Sequence, residues 1–212
     1  MEISWYGHAC FRLKSREATV VTDPYDKTLG LTLPPLKADI VTVSHHTPHH
    51  NHVAGVKGNF KVIDSPGEYE MNGVFVTSIY MIPSKNATTS TQNNVFVIYM
   101  DEIALCHLGD LTYVPTQKQV EDMGSIDVLL VPVGGQNSLN AAQAAEVISL
   151  IEPYIVIPMH YRLPGCKLDL NSLEKFTKEM GLSEVEPQDS LKITKSSVPT
   201  ETKVVVLDPK TS

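Results

Sequence analysis

Cysteine is scarce in this chain. Cys10, Cys106 and Cys166 are the only three in 212 residues, and they form no Cys-x-x-Cys pair. An odd number at wide spacing excludes a disulfide framework and a thiolate zinc site, so reduced and mostly buried thiols are expected. Positive charge is also in deficit: 17 Lys and Arg stand against 24 Asp and Glu, a formal net charge of −7. That sign opposes the backbone of nucleic acids and the anionic face of membranes, so neither is expected as a partner. No run approaches the ~20 apolar residues of a membrane-spanning helix. The amino-terminal "MEISWYGHACF" has neither a charged n-region nor a long apolar h-region, which points to a cytoplasmic protein. Low-complexity linkers are missing too, and a 42% hydrophobic content suits one sizeable core, so one domain over residues 1–212 is expected.

What the chain does have is short strand-like runs. "ISWY", "TVVTD", "DIVTV", "VFVTSIY", "NVFVIYM", "DVLLVPV" and "YIVIPM" carry the β-branched and aromatic residues that suit a pleated surface. Turn formers in "SPGE", "MNG" and "PVGG" separate them. Helix signals fall mainly in the second half. "TQKQVEDM" follows Pro115, Asn140 precedes "AAQAAEVISLI" with Gln143 placed as a capping-box partner, and a third helix is expected from Asp169 to Met180, ended by Gly181. The first half reads as a meander of antiparallel strands and the second as alternating strand and helix, an α+β pattern of packed sheets with helices outside.

One stretch is chemically dense. "SHHTPHHNH", Ser44 to His52, holds five histidines in nine residues directly after the apolar "ADIVTV". Three other polar residues also stand where apolar strands stop: Asp23 after "VVT", Asp110 after "LCHLG" and His160 after "VIPM". Side chains at strand ends are held by a rigid scaffold while the loops beyond admit a ligand. Imidazole nitrogen with carboxylate oxygen suits zinc or another first-row divalent metal.

These segments, taken in order, resemble the metallo-β-lactamase superfamily, and within it a small branch similar to the ascorbate-phosphate lactonase type. The resemblance runs from "WYGHACF" and "VVTDPYD" through "VTVSHHTPHHNH" and "LCHLGDL" to "DVLLVPVGG" and "VIPMHY". It implies an αββα sandwich with a metal site at one edge of the two sheets. It also implies hydrolase chemistry on a small-molecule substrate: a phosphorylated ester, a lactone or a phosphodiester.

The family signature, His-x-His-x-Asp-His followed by a mid-chain histidine, a bridging aspartate and a final histidine, is incompletely kept. By the resemblance, His45 fills the first histidine, Thr47 stands at the second, His49 replaces the aspartate and His50 fills the last. The mid-chain histidine falls by spacing near Pro83, Asp110 matches the bridging aspartate and His160 the final histidine. A proline has no side-chain donor and a threonine hydroxyl is a poor one, so the first metal site is expected to be lost. His49, His50, Asp110 and His160 remain for one metal per chain or none, with His45 as a surviving ligand of the lost site. His8, Asp23 and His46 are expected around the ligands, Asp110 and Tyr161 are candidates for the chemistry, and His107 is expected in the core. Two readings stay open: a metal-dependent hydrolase with an incomplete dinuclear site, or a catalytically degenerate relative that binds or assembles. A homo-oligomer is permitted.

Overall fold

The computed structural model describes residues 1–82 and 92–211. In chain order the strands are β1 (Glu2–Trp5), β2 (Phe11–Lys14), β3 (Thr19–Thr22), β4 (Leu36–Lys37), β5 (Ile40–Thr42), β6 (Val56–Lys57), β7 (Lys61–Ile63), β8 (Gly67–Met71), β9 (Val74–Met81), β10 (Asn93–Met100), β11 (Ile103–His107), β12 (Val128–Pro132), β13 (Ile155–Met159), β14 (Leu191–Lys192) and β15 (Lys203–Val204). Among the described residues the α-helices are α1 (Gln117–Met123), α2 (Ala141–Ile151) and α3 (Leu173–Glu179).

Two sheets organise the chain. One has the order β14-β1-β2-β3-β5-β7 and the other β15-β13-β12-β11-β10-β9-β8, with β4 and β6 forming a separate pair. Their facing sides make one apolar core, in which Phe11 of β2 meets the His107 ring of β11 at 6.3 Å between centroids. The strands β12 and β13 are buried along their whole length, which is why "VLLVP" and "IVIPM" are uninterrupted apolar runs rather than alternating ones. Cys10, Cys106 and Cys166 are free, the first two buried.

The antiparallel meander expected of the first half holds for β1, β2 and β3 and again for β8, β9 and β10, but it is broken between them, because β3, β5 and β7 run parallel. This matters for the site. Parallel neighbours end on the same side, so the residues after β3 and β5 emerge side by side. The same logic applies in the second sheet, where β11, β12 and β13 are parallel and Asp110 and His160 follow the ends of β11 and β13.

Helix boundaries follow their caps. Thr116 caps α1 and Asn140 caps α2, each with the reciprocal capping-box bond from Gln119 and Gln143; such a cap is worth about 1 kcal/mol. The third helix starts at Leu173, later than expected from Asp169. The intervening backbone is held in tertiary bonds, with Asn171 N donating to Gly134 O and Arg162 N to Asn171 O.

Candidate metal centre

The histidine-rich loop after β5 folds back on itself. His50 N and Asn51 N both donate to Thr47 O, and this turn returns His50 beneath His45. The loop is stapled to the segment after β3 by Asp26 N to Pro48 O and His52 N to Pro24 O. Asp23 joins the two strand ends: its carboxylate accepts from Ser44 N at 2.7 Å, from Ser44 Oγ at 2.6 Å and from His50 Nδ1 at 2.8 Å. With Nδ1–H given to Asp23, the His50 Nε2 lone pair is aimed the other way.

Three further side chains meet it there. His8, His50, Asp110 and His160 are all buried, and one donor atom from each falls within 4.8 Å of the others. His50 Nε2 lies 3.0 Å from His8 Nε2 and 3.0 Å from Asp110 Oδ2, and His160 Nε2 lies 3.0 Å from Asp110 Oδ1. Asp110 Oδ1 is buried without a hydrogen-bond partner despite that closeness, as is His8 Nδ1. His160 is oriented like His50: Ser138 Oγ donates to Gly135 O, so the same oxygen accepts from His160 Nδ1 at 3.3 Å and leaves Nε2 facing the cluster.

The backbone is shaped to bring these groups together. His8, Asp23 and His160 adopt positive φ values of 52°, 39° and 53°, a conformation that costs a non-glycine residue about 1–3 kcal/mol and persists only where the surroundings enforce it. The His8 carbonyl is fixed by Trp5 Nε1 at 3.0 Å and by His160 N at 3.2 Å, and His107 Nε2 donates to Ala9 O at 2.9 Å. Two glycines make room. A Cβ at Gly134 would fall 2.1 Å from His160 O, and one at Gly109 would fall 2.5 Å from the side chains of Asn93 and Ser44. Asn93 in turn accepts from Asp110 N at 2.9 Å, which sets the carboxylate over the cluster.

Burial and neighbouring charge pull the ionisations in opposite directions. Burial alone would lower the His50 imidazole, but Asp110 and Asp23 outweigh it and raise it to about 10. Burial alone would raise both carboxyls; the imidazoles of His160 and His50 hold Asp110 well below the ordinary carboxylate range, and His50 holds Asp23 down. His8, with burial and the imidazoles of His160 and His50 acting together, is driven well below the ordinary histidine value.

The donor set fits a metal ion. Ligand atoms ~2.0–2.1 Å from a tetrahedral zinc lie about 3.4 Å apart, close to the spacings found here, and each of two ring nitrogens opposite the ligand atom has its own hydrogen-bond partner. The four donors also line one cleft of about 490 Å³, together with His45, Thr47, Pro48, His49, Gln136, Asn137, Leu168 and Leu170.

The sequence-predicted residues distribute around this geometry as follows. His50, Asp110 and His160 converge. His8, expected beside the ligands, is one of the converging donors. His49, expected as a ligand, is not in the cluster: it is half-buried on the cleft wall, its ring 6.1 Å from that of His8. His45 stands at the margin, its Nε2 3.8 Å from Asp110 Oδ2 and 3.2 Å from Thr47 Oγ1. Asp23 is where it was expected, behind His50. His46 is not, since it is exposed and bonded to Asn51. Tyr161 does not reach the cleft; it is buried against Trp5 at 5.0 Å between ring centroids, and burial raises its phenol. His107 is in the core, with its Nδ1 unpartnered. Pro83 lies outside the described residues. The signal for His8 was present in "YGHAC": a Gly-His turn, φ 86° then 52°, directly after β1.

Comparison with known proteins places this geometry. Residues 2–160 match the model of the β-lactamase superfamily domain. The chain belongs to the metallo-β-lactamase superfamily. A crystal structure from Thermotoga maritima, assigned to the Zn-dependent hydrolases of this superfamily, is 40% identical, covers 97% of each chain and superposes with a TM-score of 0.81. Among curated relatives, a UPF0173 protein of Pyrococcus abyssi is 29% identical over 203 residues, 85% of this chain and 90% of that protein. A UPF0173 metal-dependent hydrolase of Thermoplasma acidophilum is 30% identical over 188 residues, 76% of this chain and 83% of that one. The two sheets with flanking helices are thus the αββα sandwich of the superfamily, with the four donors at the strand ends of one edge.

Proposed function

We propose that the protein is a metal-dependent hydrolase of small esters or lactones that works with one zinc, or another divalent metal, held by His8, His50, Asp110 and His160. The observation that carries the reading is that all four donors line the floor of an open cleft. A catalytic zinc keeps a position for water, and with all four residues bound water would enter as a fifth ligand from the cleft. A divalent metal there would supply Lewis acidity and bring the pKa of water from ~15.7 towards 7.

The chain's own residues do the rest. Asp23 and Ser138 fix the tautomers of His50 and His160, so that both present Nε2. His45, 3.8 Å from Asp110, and Thr47 beside it line the cleft, within reach of a substrate oxygen or a leaving group, and His45 is held below the ordinary histidine value by burial and by His50, so it is a neutral proton acceptor at pH 7. Such a base contributes about 10²- to 10⁴-fold.

Protein purified without a histidine tag should contain one metal ion per chain, and hydrolysis of activated esters should vanish on chelation and return with zinc. Two tightly held ions per chain would overturn the single-metal reading. The replacement of the family's second histidine by Thr47 supports a second reading, a ligand-binding relative without turnover. A metal-loaded protein inert towards a broad ester and lactone panel would favour it.

A further inference from the structure

We infer that the cleft selects small uncharged substrates with an apolar acyl portion and disfavours phosphorylated or carboxylated ones. The inference rests on the hydrolase reading and narrows its substrate class. Its basis is what stands around the cluster. Pro48, Leu168 and Leu170 give the cleft an apolar wall, and Gln136 and Asn137 give it neutral amides. Among the described residues that line it there is no lysine or arginine.

Anions are ordinarily held by an arginine fork, a lysine or the backbone at a helix amino terminus. Among the described residues, none of these is turned towards this cleft. Lys27 lines a separate cavity with Tyr25 and Leu31, and the Lys167 side chain packs against Gly30 even though its neighbour Leu168 faces the cleft. The helix α2 begins at Ala141, and no residue of its first turn lines the cleft. The charge present has the wrong sign, since Gln136 Nε2 lies 3.4 Å from Asp169 Oδ2. Nor does the centre itself compensate. The two positive charges of a divalent ion would be offset by the carboxylates of Asp110 and of Asp23, which sits 2.8 Å behind His50. An anionic substrate would therefore lose hydration at a site of about zero net charge with an acidic rim, whereas an uncharged ester loses little and gains apolar contact. The volume of about 490 Å³ suits a small molecule.

A matched pair tests this on the full, metal-loaded chain: 4-nitrophenyl butyrate and the 4-nitrophenyl half-ester of glutaric acid, which adds one carboxylate. The neutral ester should have the higher kcat/KM by about tenfold or more, and Gln136→Lys, an exposed rim change, should shift the ratio towards the charged ester by about fivefold with unchanged metal content. Calorimetric binding of butyranilide and of phenyl phosphate provides a readout that needs no turnover, with the neutral ligand expected to bind more tightly. Equal or reversed preference in turnover or binding overturns the inference. A binding preference for butyranilide without hydrolysis of either ester would retain it and sink the hydrolase reading instead.

Discussion

The two sides of the His50 ring differ in almost every property. On the deep side, His8, Asp110 and His160 converge from three other strand ends, all buried, and Asp23 braces the ring from behind. On the shallow side stand His45, Thr47 and His49, where His45 Nε2 meets a hydroxyl at 3.2 Å and a carboxylate oxygen at 3.8 Å, and its Nδ1 meets the Ser44 hydroxyl at 3.2 Å. The lesson is that density of histidine along a sequence is not density of ligands in space. Of the five histidines between residues 45 and 52, only His50 joins the converging set, and its partners come from positions 8, 110 and 160.

The largest effect that would break this contrast is loss of a deep donor. His8→Ala and His160→Ala should each weaken zinc binding by about 100-fold or more, because a four-donor set becomes a three-donor set with a distorted remainder. His49→Ala should change affinity by less than about threefold, as a half-buried residue of the cleft wall outside the set. Competition titration against a chromophoric chelator reads both. Equal losses for His8→Ala and His49→Ala would show that the histidine tract, not the convergence of strand ends, holds the metal.

Much of this was legible in the sequence, and the exceptions have physical causes. Asp23, Asp110 and His160 were readable because each stands where an apolar run reads as a buried strand coming to its end, and His50 because the resemblance to the family signature put it at a ligand position. The caps of α1 and α2 were readable because capping is local chemistry. His49 was overrated because the loop after β5 makes its turn at Thr47, through bonds of His50 N and Asn51 N to the Thr47 carbonyl, and this rotates position 49 onto the wall; His8 was underrated because only the tertiary fold brings the turn after β1 against His50, Asp110 and His160. Spacing along a chain cannot convey that rotation. Tyr161 was misplaced because neighbours in sequence at a positive-φ residue project differently, His160 into the cleft and Tyr161 onto Trp5. The late start of α3 reflects tertiary bonds from Gly134 and Arg162 that no local propensity encodes.

A smaller effect sharpens the role of the brace. Asp23→Asn keeps the shape and one acceptor oxygen yet removes the charge behind His50, and should cost about 10- to 100-fold in zinc affinity with the stoichiometry unchanged. An unchanged affinity would mean that Asp23 serves only to join Ser44 to the end of β3.

The ionisation of His50 gives a third test, in which the sign can be fixed in advance. In chelated protein its imidazole is raised to about 10 by Asp110 and Asp23. A group raised above its unfolded value of about 6.5 adds stability that is fully present below that value and is lost as pH rises through about 10. The melting temperature of the chelated protein should therefore fall between pH 7 and 10, while that of the zinc-loaded protein, in which His50 Nε2 no longer carries the proton, should fall less. Zinc uptake at pH 7 should also release about one proton, measurable by calorimetry in buffers of different ionisation heat. Parallel pH profiles for the two forms would show that His50 is not the residue that exchanges a proton for the metal.

The smallest expected effect comes from strengthening the shallow side. Thr47 faces both the cleft over the cluster and the neighbouring cavity lined by His46, Asp64 and Tyr80, so Thr47→His has room for an imidazole beside His45. The new pair would have two nitrogens and, at most, a share of the Asp110 carboxylate already engaged by the deep side. Two imidazoles without a third strong donor make a weak site. Metal content should stay near one per chain at micromolar zinc and rise only when zinc is in large excess, with the deep-site affinity moving by less than about threefold because the two sites share Asp110 alone. Thr47→Ser, which keeps the hydroxyl, separates the effect of a new ligand from that of a disturbed loop. If Thr47→His by itself filled a second site as tightly as the first, the shallow side would have lacked one ligand and nothing more, and the contrast between the two faces of His50 would reduce to a single substitution.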